Sequence, residues 1–166
     1  WYPGQSGGKA IAEVLFGDYN PGGKLPMTFY KGIKDLPPFD DYDIRNGRTY
    51  MYFKGEPLYP FGYGLSYTNF KIKNVSINNT NFSKSDTLQI TFNITNVGSR
   101  HGSEVPQLYI EQNGIKMLKA FKRIFLNKDD SLESSMSVAI RDFQSWDLIE
   151  SKYVVKAGDY SIHLGT

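Results

Sequence analysis

The strongest constraint on the fold is a strict alternation of apolar and polar side chains in the segment DTLQITFNITNVG. Leu88, Ile90, Phe92 and Ile94 alternate with polar residues. A β-strand places successive side chains on opposite faces, so this pattern is typical of a strand with one buried and one solvated face. The segment therefore predicts a strand that lines the core of a β-sheet protein.

Further segments of the same kind follow at intervals of about ten residues. In DYSIHLG, the alternation predicts that Tyr160, Ile162 and Leu164 face inward, and that Ser161 and His163 face outward. The other candidate strands are FKIKNVSI, SEVPQLYI, KAFKRIFL, MSVAI (with Met136, Val138 and Ile140) and KYVVKAG. Short strands separated by Gly, Asn and Asp predict an antiparallel β-sandwich, with Trp146 expected to cap one end of it.

The first part of the chain has a different texture, with many Gly and Pro residues and one predicted helix, SGGKAIAEVLFG. Its apolar residues share one helical face and are Ala10, Ile11, Val14 and Leu15. Ser6 is the expected N-cap and Gly17 the residue just past the end. A helix of about ten residues is marginal alone, so its apolar face needs a sheet or another helix to cover it.

A long loop follows the helix, KGIKDLPPFDDYDIRNGRTYMYFKGEP, with an acidic cluster at Asp40, Asp41 and Asp43. Loops of this length without obvious structure are often functional or wrap a neighbour. Within it, RTYMYF predicts a brief strand. For the acidic cluster, a solvated acidic loop is favoured over a catalytic site.

The stretch PLYPFGYGLSYTNF, residues 57–70 and here called the joining segment, connects the two regions. It holds five aromatic residues, two glycines, two prolines and no charge. Apolar residues favour burial, whereas Gly and Pro disfavour a regular helix or strand. We therefore expect an irregular segment that packs between domains through its aromatic side chains, which are Tyr59, Phe61, Tyr63, Tyr67 and Phe70.

Composition excludes several classes of function. The net charge is +2, and Lys and Arg are scattered rather than clustered, which disfavours a nucleic-acid partner. With Cys 0 and only His101 and His163 as histidines, we expect no metal centre and no cofactor. No apolar run approaches the ~18 residues of a membrane-spanning helix.

Several motifs in order carry a family resemblance. WYPGQSGGKAIAEVLFGDYNPGGKLPMTF followed by PLYPFGYGLSYTNF resembles the C-terminal part of glycoside hydrolase family three enzymes, the β-glucosidases, β-xylosidases and relatives. NITNVGSRHGSEVPQLYI and LKAFKRIFL resemble the fibronectin type III-like domain that closes many of them. The stretch from LPMTF to GYGLSY is most similar to the xylosidase and arabinosidase branch. One departure is Met51, where the family often carries Arg within TYRYF.

The resemblance implies a mainly β chain with two parts. Residues 1–64 would be the C-terminal remnant of an α/β sandwich domain plus a long wrapping loop, and residues 65–166 a fibronectin type III-like (immunoglobulin-like) β-sandwich. The chain opens on Trp1 rather than Met and is expected to be a piece of a longer parent. Its partners would be the upstream catalytic domains of that parent and, through them, an oligosaccharide substrate. Such a parent is expected to be secreted or periplasmic.

The same resemblance bears on catalysis. Retaining glycosidases need two carboxyl groups about 5–5.5 Å apart, and the family places its nucleophilic Asp in the first domain. We therefore assign no catalytic residue to this chain. Trp1, Tyr2 and Asp41 are predicted substrate contacts in the parent, and Glu104 is a predicted charge within a strand, with an ionic partner.

The expected function is accordingly a structural portion of a retaining β-glycosidase acting on terminal β-linked xylose or glucose. Two alternatives stay open at this point. One is a carbohydrate-binding module with surface aromatics, which the inward placement of Phe92 and Tyr160 disfavours. The other is a protein-interaction module, which would leave residues 1–64 without a role.

We expect limited proteolysis to cleave residues 1–64 well before residues 71–166, because the helix and its loop lack the sheet that would cover them. The sandwich should persist as a resistant fragment, detected by mass spectrometry of a time course. Equal resistance of both parts would contradict this division of the chain.

Overall fold

The computed structural model describes residues 3–166, and no helix among them is long and apolar enough to cross a membrane. Residues 3–69 contain short helices and irregular segments, and the regular strands begin at Phe70. The helical elements are α1 (Gly7–Phe16), a 3₁₀ turn at Ile33–Asp35, α2 (Thr49–Tyr52) and a second 3₁₀ turn at Ile140–Phe143.

The predicted helix is confirmed as α1, with one correction at its start. Gly17 follows it with φ +82° and donates its N–H to the Val14 carbonyl at 3.1 Å, an end that favours Gly because a side chain is strained at positive φ. Ser6 stands at the N-cap position, but its side chain makes no capping hydrogen bond. Leu15 and Phe16 are exposed, so the apolar side of α1 is largely uncovered.

The strand predicted for RTYMYF is wrong, because this segment forms the single helical turn α2. The alternation of aromatic residues there resembles a strand locally. A turn of helix, however, lets the Tyr50 hydroxyl accept a hydrogen bond from the Leu118 N–H at 2.9 Å. Contact with a distant strand thus decides the local conformation.

The predicted antiparallel β-structure is confirmed, with ten strands in the described chain. They are β1 (Phe70–Ile77), β2 (Thr87–Asn96), β3 (Gly102–Glu104), β4 (Gln107–Gln112), β5 (Ile115–Phe121), β6 (Ile124–Leu126), β7 (Ser131–Ala139), β8 (Ser145–Asp147), β9 (Lys152–Val154) and β10 (Ser161–Gly165). The sheet orders are β1-β2-β7, β10-β4-β5, β3-β6 and β8-β9, and every named pair is antiparallel.

Two predicted strands are each divided into two. SEVPQLYI forms β3 and β4 on either side of Val105-Pro106, since Pro has no N–H to donate to a ladder. KAFKRIFL likewise contributes to β5 and β6. The division lets β3 pair with β6 while β4 pairs with β5 and β10.

The alternation in β2 points into the core as predicted. Leu88, Ile90, Phe92 and Ile94 are at most 1% exposed. They pack with buried residues of other strands and of the second 3₁₀ turn, which are Leu108, Ile110, Ile124, Leu126, Met136, Val138, Ile140 and Phe143. The core therefore lies between the sheets of the sandwich.

In the last third of the chain, the alternation predicted for β10 is confirmed and the placement predicted for Trp146 is wrong. Ile162 and Leu164 of β10 pack against the core, as does Tyr160 just before the strand, while Ser161 and His163 lie on the other face as predicted. On that face the His163 Nε2 is 3.0 Å from the Glu111 Oε2 of β4. Trp146 does not cap the core. It is half-exposed on β8 and packs edge-on against Tyr153 of β9, with ring centroids 5.2 Å apart.

We expect Phe92→Ala to lower the free energy of unfolding by about 3–5 kcal/mol, because it opens a cavity in a close-packed core. Urea denaturation followed by fluorescence measures this. Phe121→Ala is the matched control, since Phe121 is 67% exposed on β5 and its loss should cost at most about 0.5 kcal/mol. Equal losses for the two variants would contradict the placement of the core.

Candidate functional site

The joining segment and the helical region are tied to the sandwich by the side chain of Asn20. Its Oδ1 accepts hydrogen bonds from the Tyr67 N–H at 2.7 Å and from the Ser66 hydroxyl at 3.2 Å. Its Nδ2 donates to the His101 carbonyl at 3.3 Å. One buried amide thus connects three parts of the chain that are distant in sequence.

A second amide, Asn96 at the end of β2, continues this polar contact into the sandwich. Asn96 is fully buried, and its Oδ1 accepts a hydrogen bond from the Thr68 hydroxyl at 2.7 Å. Its Nδ2 donates to the carbonyls of Arg100 at 2.8 Å and Leu126 at 3.3 Å. Buried polar groups with satisfied partners favour a single arrangement of the surrounding chain.

An ion pair between Lys24 and Glu104 lies at the same junction. The Lys24 Nζ is 2.8 Å from the Glu104 Oε1, and the side chains are only 14% and 10% exposed. The same carboxylate oxygen accepts the Val105 N–H at 2.7 Å. The pairing predicted for Glu104 is therefore confirmed, and the partner comes from the first region of the chain.

Aromatic rings form the third part of the junction. Tyr50 of α2 stacks on Phe61 of the joining segment, with centroids 4.2 Å apart and planes at 16°. Tyr109 of β4 meets both rings edge-on, at 6.2 Å and 6.5 Å. Burial and the nearby Tyr50 hydroxyl raise the pKa of Tyr109 to about 12, so the phenol remains neutral at physiological pH.

The position of Gly62 accounts for the irregular backbone of the joining segment. Its φ is +81°, and a side chain there would place its first carbon 2.8 Å from the Tyr109 hydroxyl. With Gly, the Gly62 carbonyl can accept a hydrogen bond from the buried Gln107 Nε2 at 3.1 Å. The Gln107 Oε1 in turn accepts a hydrogen bond from the Tyr109 hydroxyl at 2.6 Å.

We call this set of contacts the polar-aromatic joint. Its members are Asn20, Lys24, Tyr50, Phe61, Gly62, Thr68, Asn96, Glu104, Gln107 and Tyr109. Sequence reasoning missed most of its polar members. One signal was available, because Asn96 continues the inward alternation of β2 and so places an amide where an apolar residue is expected.

The five aromatic residues predicted to pack between domains divide into two groups. Phe61 and Phe70 are partly buried, and Phe70 packs against the sandwich core. Tyr59, Tyr63 and Tyr67 are exposed at about two-fifths of their surface. The interdomain role of these three stays a prediction.

The predicted substrate contacts are not brought together with the joint. Trp1 and Tyr2 lie outside the described residues. Asp41 accepts the Asp43 N–H at 2.9 Å through Oδ1 and the Asn46 Nδ2 at 2.8 Å through Oδ2. The Arg45 side chain and N–H bond to Asp43 and lower the pKa of its carboxyl to about 2. These carboxylates thus maintain the loop conformation, and a substrate contact for Asp41 stays a prediction.

Among residues 3–166, His, Asp and Glu side chains do not gather into a group of three or more that could hold a metal ion. The joint is also without an acid–base pair, since its single carboxylate, Glu104, is bound to Lys24. The arrangement can therefore fix the positions of segments, and this is the role that its geometry supports.

We expect Glu104→Gln to lower the free energy of unfolding by about 3 kcal/mol, because Lys24 keeps its charge in a largely buried position without a partner. Hydrogen exchange of residues 20–25 and 62–68 should accelerate in the variant. Glu56→Gln is the matched control, because Glu56 pairs with Lys31 at the surface, and it should leave both measurements unchanged. An unchanged stability for Glu104→Gln would contradict a structural role of the ion pair.

Comparison with known proteins identifies two family domains in this chain. Residues 1–67 match the model of the glycosyl hydrolase family 3 C-terminal domain, and residues 104–166 match that of the fibronectin type III-like domain. A xylan 1,4-β-xylosidase of Xylanibacter ruminicola is 41% identical over 171 residues, which cover 100% of this chain and 19% of that protein. A periplasmic β-glucosidase of Salmonella typhimurium is 33% identical, covering 99% of this chain and 24% of its own length.

Solved structures give the same result. The β-glucosidase 3B of Thermotoga neapolitana, in complex with α-D-glucose, superimposes with a TM-score of 0.86 at 34% identity, covering 99% of this chain and 25% of that chain. The chain thus spans about a fifth to a quarter of the length of these relatives. It belongs to glycosyl hydrolase family 3, as a C-terminal part in which a segment of the family's C-terminal domain precedes a fibronectin type III-like domain.

Proposed function

We propose that this chain is the accessory, structural portion of a retaining β-glycosidase that removes terminal β-linked xylose or glucose from oligosaccharides. Support comes from relatives named as β-xylosidase and β-glucosidase. The observation that carries the proposal is the polar-aromatic joint, which ties the family 3 segment to the sandwich.

The joint suits this role because its contacts are directional and buried. The hydrogen bonds of Asn20 and Asn96 and the Lys24–Glu104 pair each require a specific placement of both partners. Breaking such a contact leaves a buried polar group unsatisfied, which costs more than the contact itself contributes. The first region is thereby held in one orientation on the sandwich, as a scaffold for the upstream domains requires.

The chain is not expected to be catalytic alone. Most of the carboxylates considered for catalysis have partners within the described part of the chain. Asp41 and Asp43 are bonded within their loop, Glu104 to Lys24 and Glu56 to Lys31. A retaining mechanism needs one free nucleophilic carboxylate and one acid–base carboxyl about 5–5.5 Å apart. We infer that both reside in the upstream part of the parent.

A carbohydrate-binding module is less well supported. Such modules present flat aromatic faces, but the exposed pair Trp146 and Tyr153 meets at 77°. A polysaccharide chain could not stack on both rings at once.

We also infer that the parent is exported, in line with the name of the Salmonella relative.

We expect the isolated chain to release no nitrophenol from nitrophenyl β-xyloside or β-glucoside above a buffer control. A chimera in which this chain replaces the aligned stretch of the Xylanibacter xylosidase should release it from the β-xyloside, because the joint supplies the same support. Turnover by the isolated chain, or a folded chimera without activity, would contradict the proposal. The relative truncated before the aligned stretch is the control.

A further inference from the structure

The outer edge of β10 is the least protected strand edge of the sandwich. β10 lies at the end of the sheet β10-β4-β5, and within the described part of the chain it pairs with β4 alone. An antiparallel ladder takes up the backbone groups of alternate residues, so the remaining N–H and C=O groups of β10 point away from β4. Such an edge is a template for pairing with a further strand.

The other edges of the two three-stranded sheets carry features that oppose such pairing. The ladder of β1 shifts its register after Lys73, where Asn74 has φ +53°, and a bulge beside a lysine blunts an edge. On β5, the Leu118 N–H donates to the Tyr50 hydroxyl of α2, so α2 covers that edge. β7 carries the exposed charge of Glu133. These three edges are thus blunted, covered or charged.

β10 has none of these features. Its register with β4 is continuous over Ser161–Gly165, and its sequence, SIHLG, contains no Pro and no Lys, Arg, Asp or Glu. The inward residues Ile162 and Leu164 pack against the core but remain partly exposed, whereas the inward residues of β2 from Leu88 to Ile94 are at most 1% exposed. The core is therefore less completely covered along this edge.

A cleft of about 610 Å³ lies beside Ile162. Its apolar walls include Ile77 at the end of β1, Leu88 of β2 and Tyr160. Leu88 stands near the start of β2 and Asn96 of the joint at its end, so the cleft lies toward the end of the sandwich that is away from the joint. A strand added to β10 would cover apolar surface here as well as bind backbone groups, and both effects favour the addition.

We propose that β10 pairs antiparallel with β10 of a second copy of this chain, about a two-fold axis at His163. In this register, Ile162 of each copy faces Leu164 of the other on the inward side, and Ser161 faces Gly165. The strand is thus complementary to itself, as a two-fold interface requires. Because β10 holds no carboxylate, Lys or Arg side chain, ionic repulsion between identical strands does not oppose the pairing.

This interface is independent of the proposed accessory role, since no residue of β10 belongs to the polar-aromatic joint. One five-residue strand from each copy makes a small contact, and small interfaces are typical of weak, reversible association. We therefore expect a dimer that forms and dissociates with protein concentration.

Disulfide trapping tests the register directly, because the chain contains no cysteine. In His163→Cys, the two introduced thiols would lie opposite each other, at a cross-strand distance close to that of a disulfide. We expect oxidised glutathione to produce a reducible dimer, seen by non-reducing electrophoresis. His101→Cys is the matched control, since His101 is exposed in a loop, and it should stay monomeric. Equal dimer yields at the two positions would overturn the proposal.

Charge added to the edge gives a second test, by sedimentation velocity over a range of concentrations. The unmodified chain should move between 18.9 kDa and twice that mass. Ser161→Lys combined with His163→Lys should raise the dissociation constant by at least about tenfold, because ammonium groups of the two copies then face each other. Urea denaturation checks that the variant is folded.

The matched control for this test is Ser99→Lys combined with His101→Lys. It makes the same two substitutions at the same spacing in an exposed loop position, and it should leave the dissociation constant unchanged. An unmodified chain that stays at 18.9 kDa at every concentration, or equal dissociation constants for the two double variants, would overturn the proposal.

Hydrogen exchange of residues 161–165 distinguishes the other possible states of the edge. In the dimer, the amides that β4 does not bind should exchange more slowly as the protein concentration rises. Slow exchange in a monomer would assign the edge to another segment of the same chain, and fast exchange in a monomer would leave it uncovered. Either result would reject pairing with a second copy.

Discussion

The structure depends on one constraint above others, which is the need to satisfy the buried amide of Asn96. This residue occupies an inward position of β2, where the core would otherwise be apolar. Its Oδ1 accepts a hydrogen bond from the Thr68 hydroxyl, and its Nδ2 donates to the carbonyl of Arg100 in the following loop and to that of Leu126 at the end of β6. An unsatisfied amide in that position costs several kilocalories per mole. Thr68 must therefore stay in place, and the joining segment with it.

The position of Thr68 brings the other contacts of the polar-aromatic joint within reach. With Thr68 held, Tyr67 and Ser66 are within reach of Asn20, which lies just beyond α1. Gly62 can then approach Gln107 only because it lacks a side chain. These hydrogen bonds hold a Gly- and Pro-rich connection, flexible by composition, against the sandwich.

The two regions of the chain differ in how far they bury their apolar side chains. The sandwich buries its apolar residues within itself, as the core around Phe92 demonstrates. The first region does not, because Leu15, Phe16 and Phe39 are directed outward. The first region thus exposes apolar side chains that the sandwich would bury. This property agrees with a chain that spans about a fifth to a quarter of its relatives.

The sequence by itself determined those strands and helices that depend on the spacing of neighbouring residues. The alternation from Leu88 to Ile94 dictated a strand and its buried face, because side-chain direction repeats every two residues. Helical spacing and Gly17 dictated α1 and its end. Tertiary structure alone decided the conformation of residues 49–52, the position of Trp146 and the choice of Lys24 as the partner of Glu104. Each depends on a partner distant in the chain, and no local pattern records which buried group will need a hydrogen bond or a counter-charge.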